Sequence, residues 1–284
     1  MKALYDVPAP AKLNLFLHIV GQRADGYHLL QSVFVLIDWC DRLNFELRED
    51  QKISREDLST PLPAEDLIVR AARLLQEVSG TALGVHIGVD KCIPAQAGMG
   101  GGSSDAASTL LALNRLWRLG LSRRQLSELG LRLGADVPFF LLGHNAWVEG
   151  IGELLTPIPV GSKRFLVVKP ADGLDTRKIF SSPSLKRNSE LSIMADFAAS
   201  TGDFGRNDLQ PVAQALCPGV THAIDWLGML GLQGRMTGSG SAVFAQAHHD
   251  IDVRSAPAGC IARMCCSLPE HPLAGWAVGE ESFR

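Results

Sequence analysis

The stretch Pro94-Ala95-Gln96-Ala97-Gly98-Met99-Gly100-Gly101-Gly102-Ser103-Ser104-Asp105 packs four glycines into five positions and follows them with two hydroxyls. Ahead of it Val85, Ile87 and Val89 alternate as a short strand; behind it Ser104 to Trp117 reads as a helix ending near Gly120. The order strand, glycine-rich loop, helix start puts free backbone N–H groups and the positive end of a helix dipole where an anion can sit. Glycines let such a backbone close around phosphate oxygens, a freedom that a mere connector does not need. Residues Pro94 to Ser104 are therefore expected to hold phosphate.

The commonest nucleotide loops do not match. A Walker loop ends in Gly-Lys-Ser/Thr, whereas Ser103-Ser104 follow Gly102 with no lysine. A dinucleotide fingerprint needs a glycine where Ser103 stands and an acidic residue about 20 positions on; that neighbourhood reads Leu121-Ser122-Arg123-Arg124. Protein-kinase signatures are absent as well.

Outward from the loop, Leu13, Leu15, Leu17 and Ile19 alternate, which predicts a strand that turns Lys12, Asn14, Phe16 and His18 to its other face. Val33 to Ile37 is a continuous apolar run of the kind a buried strand shows. Asp66 to Val78 has helical spacing, and Ser122 with Gln125 forms a capping box for a helix that Gly134 closes. Asp136 follows, held in a short connection between Gly134 and Pro138. The composition resets near Pro157-Ile158-Pro159, where we expect a domain boundary dividing residues 1–158 from 159–284. Beyond it Phe165 to Val168 reads as a strand, Ser181 to Ser192 as a surface loop, Asp208 to Leu216 and Val220 to Leu230 as helices, and Ala242 to Phe244 as a strand. A second group of glycines, Gly238 and Gly240 among them, punctuates this half.

Composition is that of a globular protein: 284 residues, 46% hydrophobic and 20% charged. A net charge of −3 and the lack of a Lys/Arg run argue against a nucleic-acid partner. No apolar stretch reaches the roughly 18 residues of a membrane span, and Met1 to Pro10 lacks a signal peptide's basic start and apolar core, so a cytoplasmic location is expected. The six cysteines form no C-x-x-C pair and are expected to be reduced. His248-His249 and Cys265-Cys266 have no convergent partners in sequence.

These segments resemble the GHMP kinases, whose central motif is Pro-x-x-x-Gly-Leu-Gly-x-Gly-Ser-Ser/Ala at a helix start, Met99 replacing the leucine here. Pro10 to Leu15, Arg23 to His28, Gly134 to Pro138, Asn207 to Leu209 and Thr237 to Ser241 resemble further motifs of one member in its order, over nearly the whole chain. The resemblance implies an α+β fold of two domains, an N-terminal one like ribosomal protein S5 domain 2 and a C-terminal ferredoxin-like one, with the site between them. It implies ATP-dependent phosphorylation of the 2-hydroxyl of 4-diphosphocytidyl-2-C-methyl-D-erythritol in non-mevalonate isoprenoid precursor synthesis.

Carried over by position, Asp136 is the catalytic base and Lys12 its companion. Alone, Lys12 would read as a solvated strand residue and Asp136 as a helix cap; the joint motif favours catalysis. Pro94, Ala95, Gln96, Ala97, Gly98, Met99, Gly100, Gly101, Gly102, Ser103 and Ser104 hold the ATP phosphates. Asn14, Tyr27, His28, Thr176, Phe180, Gly238 and Gly240 are implied on the substrate side, Tyr27 and Phe180 stacking a cytosine whose edge His28 reads. Mg²⁺ is expected with the ATP phosphates, though no acidic cluster marks its ligands. Asp66 stands where the family often has asparagine, and Gln96 where close relatives carry glycine. The rival readings are another small-molecule kinase of this family, of homoserine or mevalonate type, a non-catalytic nucleotide sensor, and an S5-like RNA-binding module that the net charge disfavours.

Overall fold

Val33 to Ile37 is apolar at every position because both of its faces are covered. A computed structural model describes residues 1–200 and 204–277. In it β1 (Ala3–Gln22) and β2 (His28–Arg48) form a long antiparallel hairpin. With β3 (Ile53–Asp57), β4 (Gly84–Asp90), β5 (Ala146–Glu149) and β6 (Leu154–Pro157) they make a sheet ordered β3-β4-β2-β5-β6, β1 pairing with β2. Four helices, α1 (Leu67–Ser79), α2 (Gly101–Leu116), α3 (Arg123–Leu133) and α4 (Val137–Leu142), cover one face. Phe34 and Leu36 enter that helical core, while Val33, Val35 and Ile37 face the opposite way.

What they face is a second sheet. β7 (Arg164–Lys169), β8 (Arg235–Met236), β9 (Val243–Gln246) and β10 (Ile261–Cys266) are antiparallel in the order β10-β7-β9-β8. Numbered within this sheet the order is fourth, first, third, second, as in a ferredoxin-like domain; a 3₁₀ turn at Val253–Ser255 stands where that fold carries its second helix. Phe165 and Val167 of β7 pack toward the first sheet, and Leu166 and Val168 toward α7 (Gln210–Leu216) and α8 (Pro218–Met229). The short helices α5 (Thr176–Phe180) and α6 (Met194–Ala199) lie in the connection after β7. The layers are thus helices, sheet, sheet, helices, with an apolar seam between the sheets.

The last described residues return to the first sheet. Leu268 N–H donates to Leu36 O at 2.8 Å, His271 N–H to Gly143 O at 2.8 Å, and Leu273 and Ala277 are buried in the first helical core.

Three local expectations change. α2 begins at Gly101 rather than Ser104, so part of the glycine run is helical. Lys12, Asn14, Phe16 and His18, which the alternation turns away from the apolar face of β1, are buried as well, because the strand lies between the helical layer and the second half of the chain. The polar stretch from Ser181 to Ser192 is more than a surface loop: Ser189 is buried, donating from its N–H to Ile19 O at 2.9 Å and from its hydroxyl to Asp208 Oδ2 at 2.6 Å.

Candidate active site

Alternating residues of the loop do different work. Ala97 and Met99 are buried in the seam between the sheets, and Lys12 N–H donates to Met99 O at 2.9 Å, fixing the loop to β1. Between these anchors Gly98, at φ 70°, lies flat on the second glycine loop. A Cβ there would overlap Thr237 O and stand 2.8 Å from Gly240 N, and one on Gly238 would stand 2.5 Å from Gly98 O. Ser241 N–H donates to Gln96 O at 3.0 Å and Ala242 N–H to Ala97 O at 3.2 Å. Gly238 and Gly240 therefore reach the site by backing the first loop.

Gly100, with φ 73°, is the N-cap of α2, and no side chain caps that helix start, which leaves its first N–H groups for an anion. A Cβ on Gly100 would meet Phe140 at 2.9 Å and Lys12 Cγ at 3.2 Å, so the loop, α4 and Lys12 converge here. Ser104 Oγ, at the first turn of α2, is buried without a partner among the described residues.

Lys12 Nζ stands 3.9 Å from Asp136 Oδ2 and 4.4 Å from the centre of the Phe34 ring. Burial pushes the Lys12 ammonium below the usual lysine range, and the Asp136 charge draws it partly back. Asp136 is the N-cap residue of α4 but bonds no backbone N–H with its side chain, which remains 34% exposed and open to a ligand. Asn14 Oδ1 accepts from Lys12 Nζ, and Asn14 Nδ2 donates to Ser32 Oγ at 3.0 Å. Thr237 Oγ1 accepts from Asn14 N–H at 2.9 Å. Asn14 thus aims Lys12, and Thr237, quoted above only within its motif, ties that pair to the second glycine loop.

A buried triad braces the loop from behind. Lys91 Nζ donates to Asp41 Oδ2 and, at 2.5 Å, to Asp105 Oδ2, and Asp41 Oδ1 accepts from Cys92 N–H at 2.6 Å and Ile93 N–H at 2.7 Å. One ammonium cannot balance two buried carboxylates. Burial, with the Asp41 charge adding to it, pushes the Asp105 carboxyl up to about 8 against the pull of Lys91.

The predicted base-binding residues gather in a cleft of about 630 Å³, within the range of small-molecule sites, whose lining includes Gln22, Tyr27, His28, Ile151, Thr176 and Phe180. Tyr27 is 60% exposed. The His28 and Phe180 rings are 5.1 Å apart at 37°. Thr176 Oγ1 and Ser239 Oγ hydrogen-bond at 2.7 Å, linking the cleft to the second glycine loop. The turn Gly150 to Gly152 lies beside both centres: Ile151 lines the cleft, and a Cβ on Gly152 would stand 3.8 Å from Asp136 Oδ1. Arg187, whose Nε–H donates to His28 Nε2 at 3.0 Å, has no signal in the sequence, since the two lie 159 positions apart. Another cavity, of about 410 Å³ and lined by Phe165, Phe197, Phe204 and Arg235 among others, shares no residue with this site.

Asp66 and Gln96 are engaged in the protein. Asp66 Oδ1 accepts from Val69 N–H at 3.0 Å, capping α1, and pairs with Arg55 at 2.8 Å. Gln96 adopts φ 51°, a left-handed backbone that glycine takes more readily, and its side chain lies against Gly173. Among the described residues no group of three or more His, Cys, Asp or Glu could hold a metal, and no helix is long and apolar enough to cross a membrane.

Comparison with known proteins places this arrangement. The family model for the GHMP kinases N terminal domain matches residues 66–144, and that for the GHMP kinases C terminal matches residues 185–257. A 4-diphosphocytidyl-2-C-methyl-D-erythritol kinase from Albidiferax ferrireducens is 69% identical over 280 residues, covering 99% of this chain and 98% of its own. One of the same name from Acidovorax sp. is 64% identical over 283 residues, covering 98% of this chain and 100% of its own. The crystal structure of a 4-(cytidine 5'-diphospho)-2C-methyl-D-erythritol kinase superposes with a TM-score of 0.79 at 33% identity, covering 92% of this chain and 98% of that one. A homoserine kinase from Cytophaga hutchinsonii, at a TM-score of 0.67 and 14% identity, shares the fold. The chain belongs to the GHMP kinases and, within them, to the 4-diphosphocytidyl-2-C-methyl-D-erythritol kinases.

Proposed function

We propose that this chain transfers the γ-phosphoryl group of ATP to the 2-hydroxyl of 4-diphosphocytidyl-2-C-methyl-D-erythritol, giving the 2-phosphate and ADP on the route to isoprenoid precursors. The full-length identity with kinases of that name supports the reaction. The observation that supports this site for it is the meeting of Lys12 with Asp136 beside both the glycine-capped start of α2 and a cleft with aromatic walls.

Phosphoryl transfer to a hydroxyl passes through a loose transition state, so positioning and charge compensation matter more than base strength. Asp136 orients the 2-hydroxyl and accepts its proton as the new P–O bond forms. Lys12 offsets negative charge on the transferring group. Asn14 holds the Lys12 ammonium in place. Residues Pro94 to Ser104 cradle the ATP phosphates, and Gly238 and Gly240 let the second loop close against them. Tyr27 and Phe180 stack on the cytosine, a contact typically contributing about 1–3 kcal/mol per base; His28 reads its edge and Thr176 borders it.

Mg²⁺ fits this donor set as a cation carried in by ATP, since Mg²⁺ keeps several waters and takes phosphate oxygens with one or two protein oxygens. Ser104 Oγ, buried and unpartnered, is the protein oxygen we assign to it, with phosphate oxygens and waters filling the other positions. When bound, it neutralises phosphate charge. Residues 1–158 carry the loop and the catalytic pair in this reading, and residues 159–284 complete the cleft. The reaction requires neither membrane nor nucleic acid, and we assign it to the cytoplasm.

The test is an acceptor panel with ATP, following ADP release and the ³¹P spectrum of the product. The expected result is a new phosphomonoester on the cytidine compound with its diphosphate intact. Turnover of homoserine or mevalonate without turnover of the cytidine compound would overturn the assignment.

A further inference from the structure

Behind the cleft residue His28 stands an arginine whose hydrogen bonds decide the protonation pattern of that histidine. The Arg187 guanidinium is held by three carbonyls: Nη1 donates to Leu185 O at 3.1 Å, and Nη2 to Phe180 O at 3.1 Å and Ser182 O at 2.9 Å. With its fork fixed on the backbone that carries Phe180, its Nε–H points across to His28 Nε2 at 3.0 Å. Arginine has only donors and does not lose its proton in proteins. His28 Nε2 must therefore be the acceptor, and a neutral imidazole with its lone pair there carries its proton on Nδ1. Among the described residues Nδ1 has no protein partner. Burial, with the Arg187 charge adding to it, lowers the His28 pKa and so favours the neutral ring.

We propose that Arg187 is a positioning residue for base selection: by holding His28 in the Nδ1–H form it makes the cleft choose a pyrimidine with an acceptor at N3 over one with N3–H. This rests on the reading of the cleft as a cytidine site and adds to it the means of telling cytosine from uracil. Cytosine N3 offers a lone pair to Nδ1–H, whereas uracil N3–H would set donor against donor. A buried donor left without an acceptor is the kind of mismatch that binding sites reject strongly. The same guanidinium ties His28, at the start of β2, to Phe180, at the end of α5, so that stacking and edge reading share one support.

The experiment compares CDP and UDP binding by calorimetry in the wild type, Arg187→Met and Arg187→Lys, together with the ¹⁵N shifts of the His28 imidazole. The wild type is expected to prefer CDP by about tenfold or more and to show a protonated Nδ1. Arg187→Met is expected to bring the CDP to UDP ratio close to one and to mix the tautomers while ATP affinity holds. Arg187→Lys, which still offers a donor, should recover part of the ratio. A ratio unmoved in Arg187→Met, or equal binding of the two diphosphates by the wild type, overturns the role of Arg187 and leaves a nucleotide cleft in place. A wild-type spectrum with the proton on Nε2 overturns it without any variant. Wild-type failure to bind either diphosphate overturns the cytidine reading itself, and the selection with it.

Discussion

A lysine sealed from water beside a half-open carboxylate is the feature on which the residue-scale chemistry turns. Burial favours neutral Lys12, and the Asp136 charge opposes that. An NMR titration of Lys12 Nζ is expected to give a midpoint below 10.5, and a lower one still in Asp136→Asn, where the opposing charge is gone. The sign for stability follows: the unfolded lysine keeps its proton to higher pH than the folded one. Lys12 therefore costs stability below its folded pKa, and the cost fades as pH rises toward 10.5. A midpoint at or above 10.5 would remove the argument. Asp136 was legible in the sequence because Gly134 and Pro138 pin it locally. The environment of Asn14 was not, since its backbone partner Thr237 lies 223 positions away.

Among the elements, the two glycine loops work as a pair, and the pairing makes different demands on different glycines. Gly98→Ala would push a methyl into the Thr237 backbone, which cannot yield as a flexible side chain would. We expect it to lower Tm and raise the KM for ATP at least about tenfold, a loss of roughly 1.4 kcal/mol or more. Gly102 is exposed and helical, its nearest neighbour for a Cβ being Leu67 Cδ1 at 3.6 Å. Gly102→Ala should therefore hold or raise Tm by its helix propensity, yet weaken ATP because the methyl stands where phosphate approaches. Unchanged ATP affinity in Gly102→Ala would argue that the phosphates bind elsewhere. The strand, loop and helix order was readable from local pattern. The helix start was misplaced because glycine is a poor helix former, and only tertiary anchoring at Met99 and Gly98 carries α2 back to Gly101. The polarity of Ser181 to Ser192 likewise concealed its role, since buried Ser189 and Arg187, the partner of the cleft residue His28, bond across the molecule.

For the whole molecule, the four-layer build explains both what composition disclosed and what it hid. Continuous apolar runs at Val33 to Ile37 and Phe165 to Val168 announced buried strands, but only the packing of sheet on sheet says which side chains share the seam. The C-terminal return to the first helical core brings in His271, whose pKa burial, aided by the Arg123 charge, pushes down to about 3. The unfolded histidine takes up a proton near its ordinary 6.5 and the folded one does not, so stability should fall as pH drops from about 6.5 toward 3, by at most about 1.4 kcal/mol per unit. His271→Asn, which can still accept from Leu273 N–H, should flatten that part of the Tm profile; an unchanged profile would place the acid sensitivity elsewhere. The central claim is that Asp136 and Lys12, brought together between the two loops, carry the transfer. It is tested most directly by single-turnover phosphorylation of the cytidine acceptor in Asp136→Asn, with ATP affinity and Tm measured on the same sample. The account expects the rate to fall by about 10²–10⁴-fold with ATP affinity nearly unchanged and Tm somewhat lowered by the lost partner of Lys12; a rate close to wild type in that folded, ATP-binding variant would contradict it.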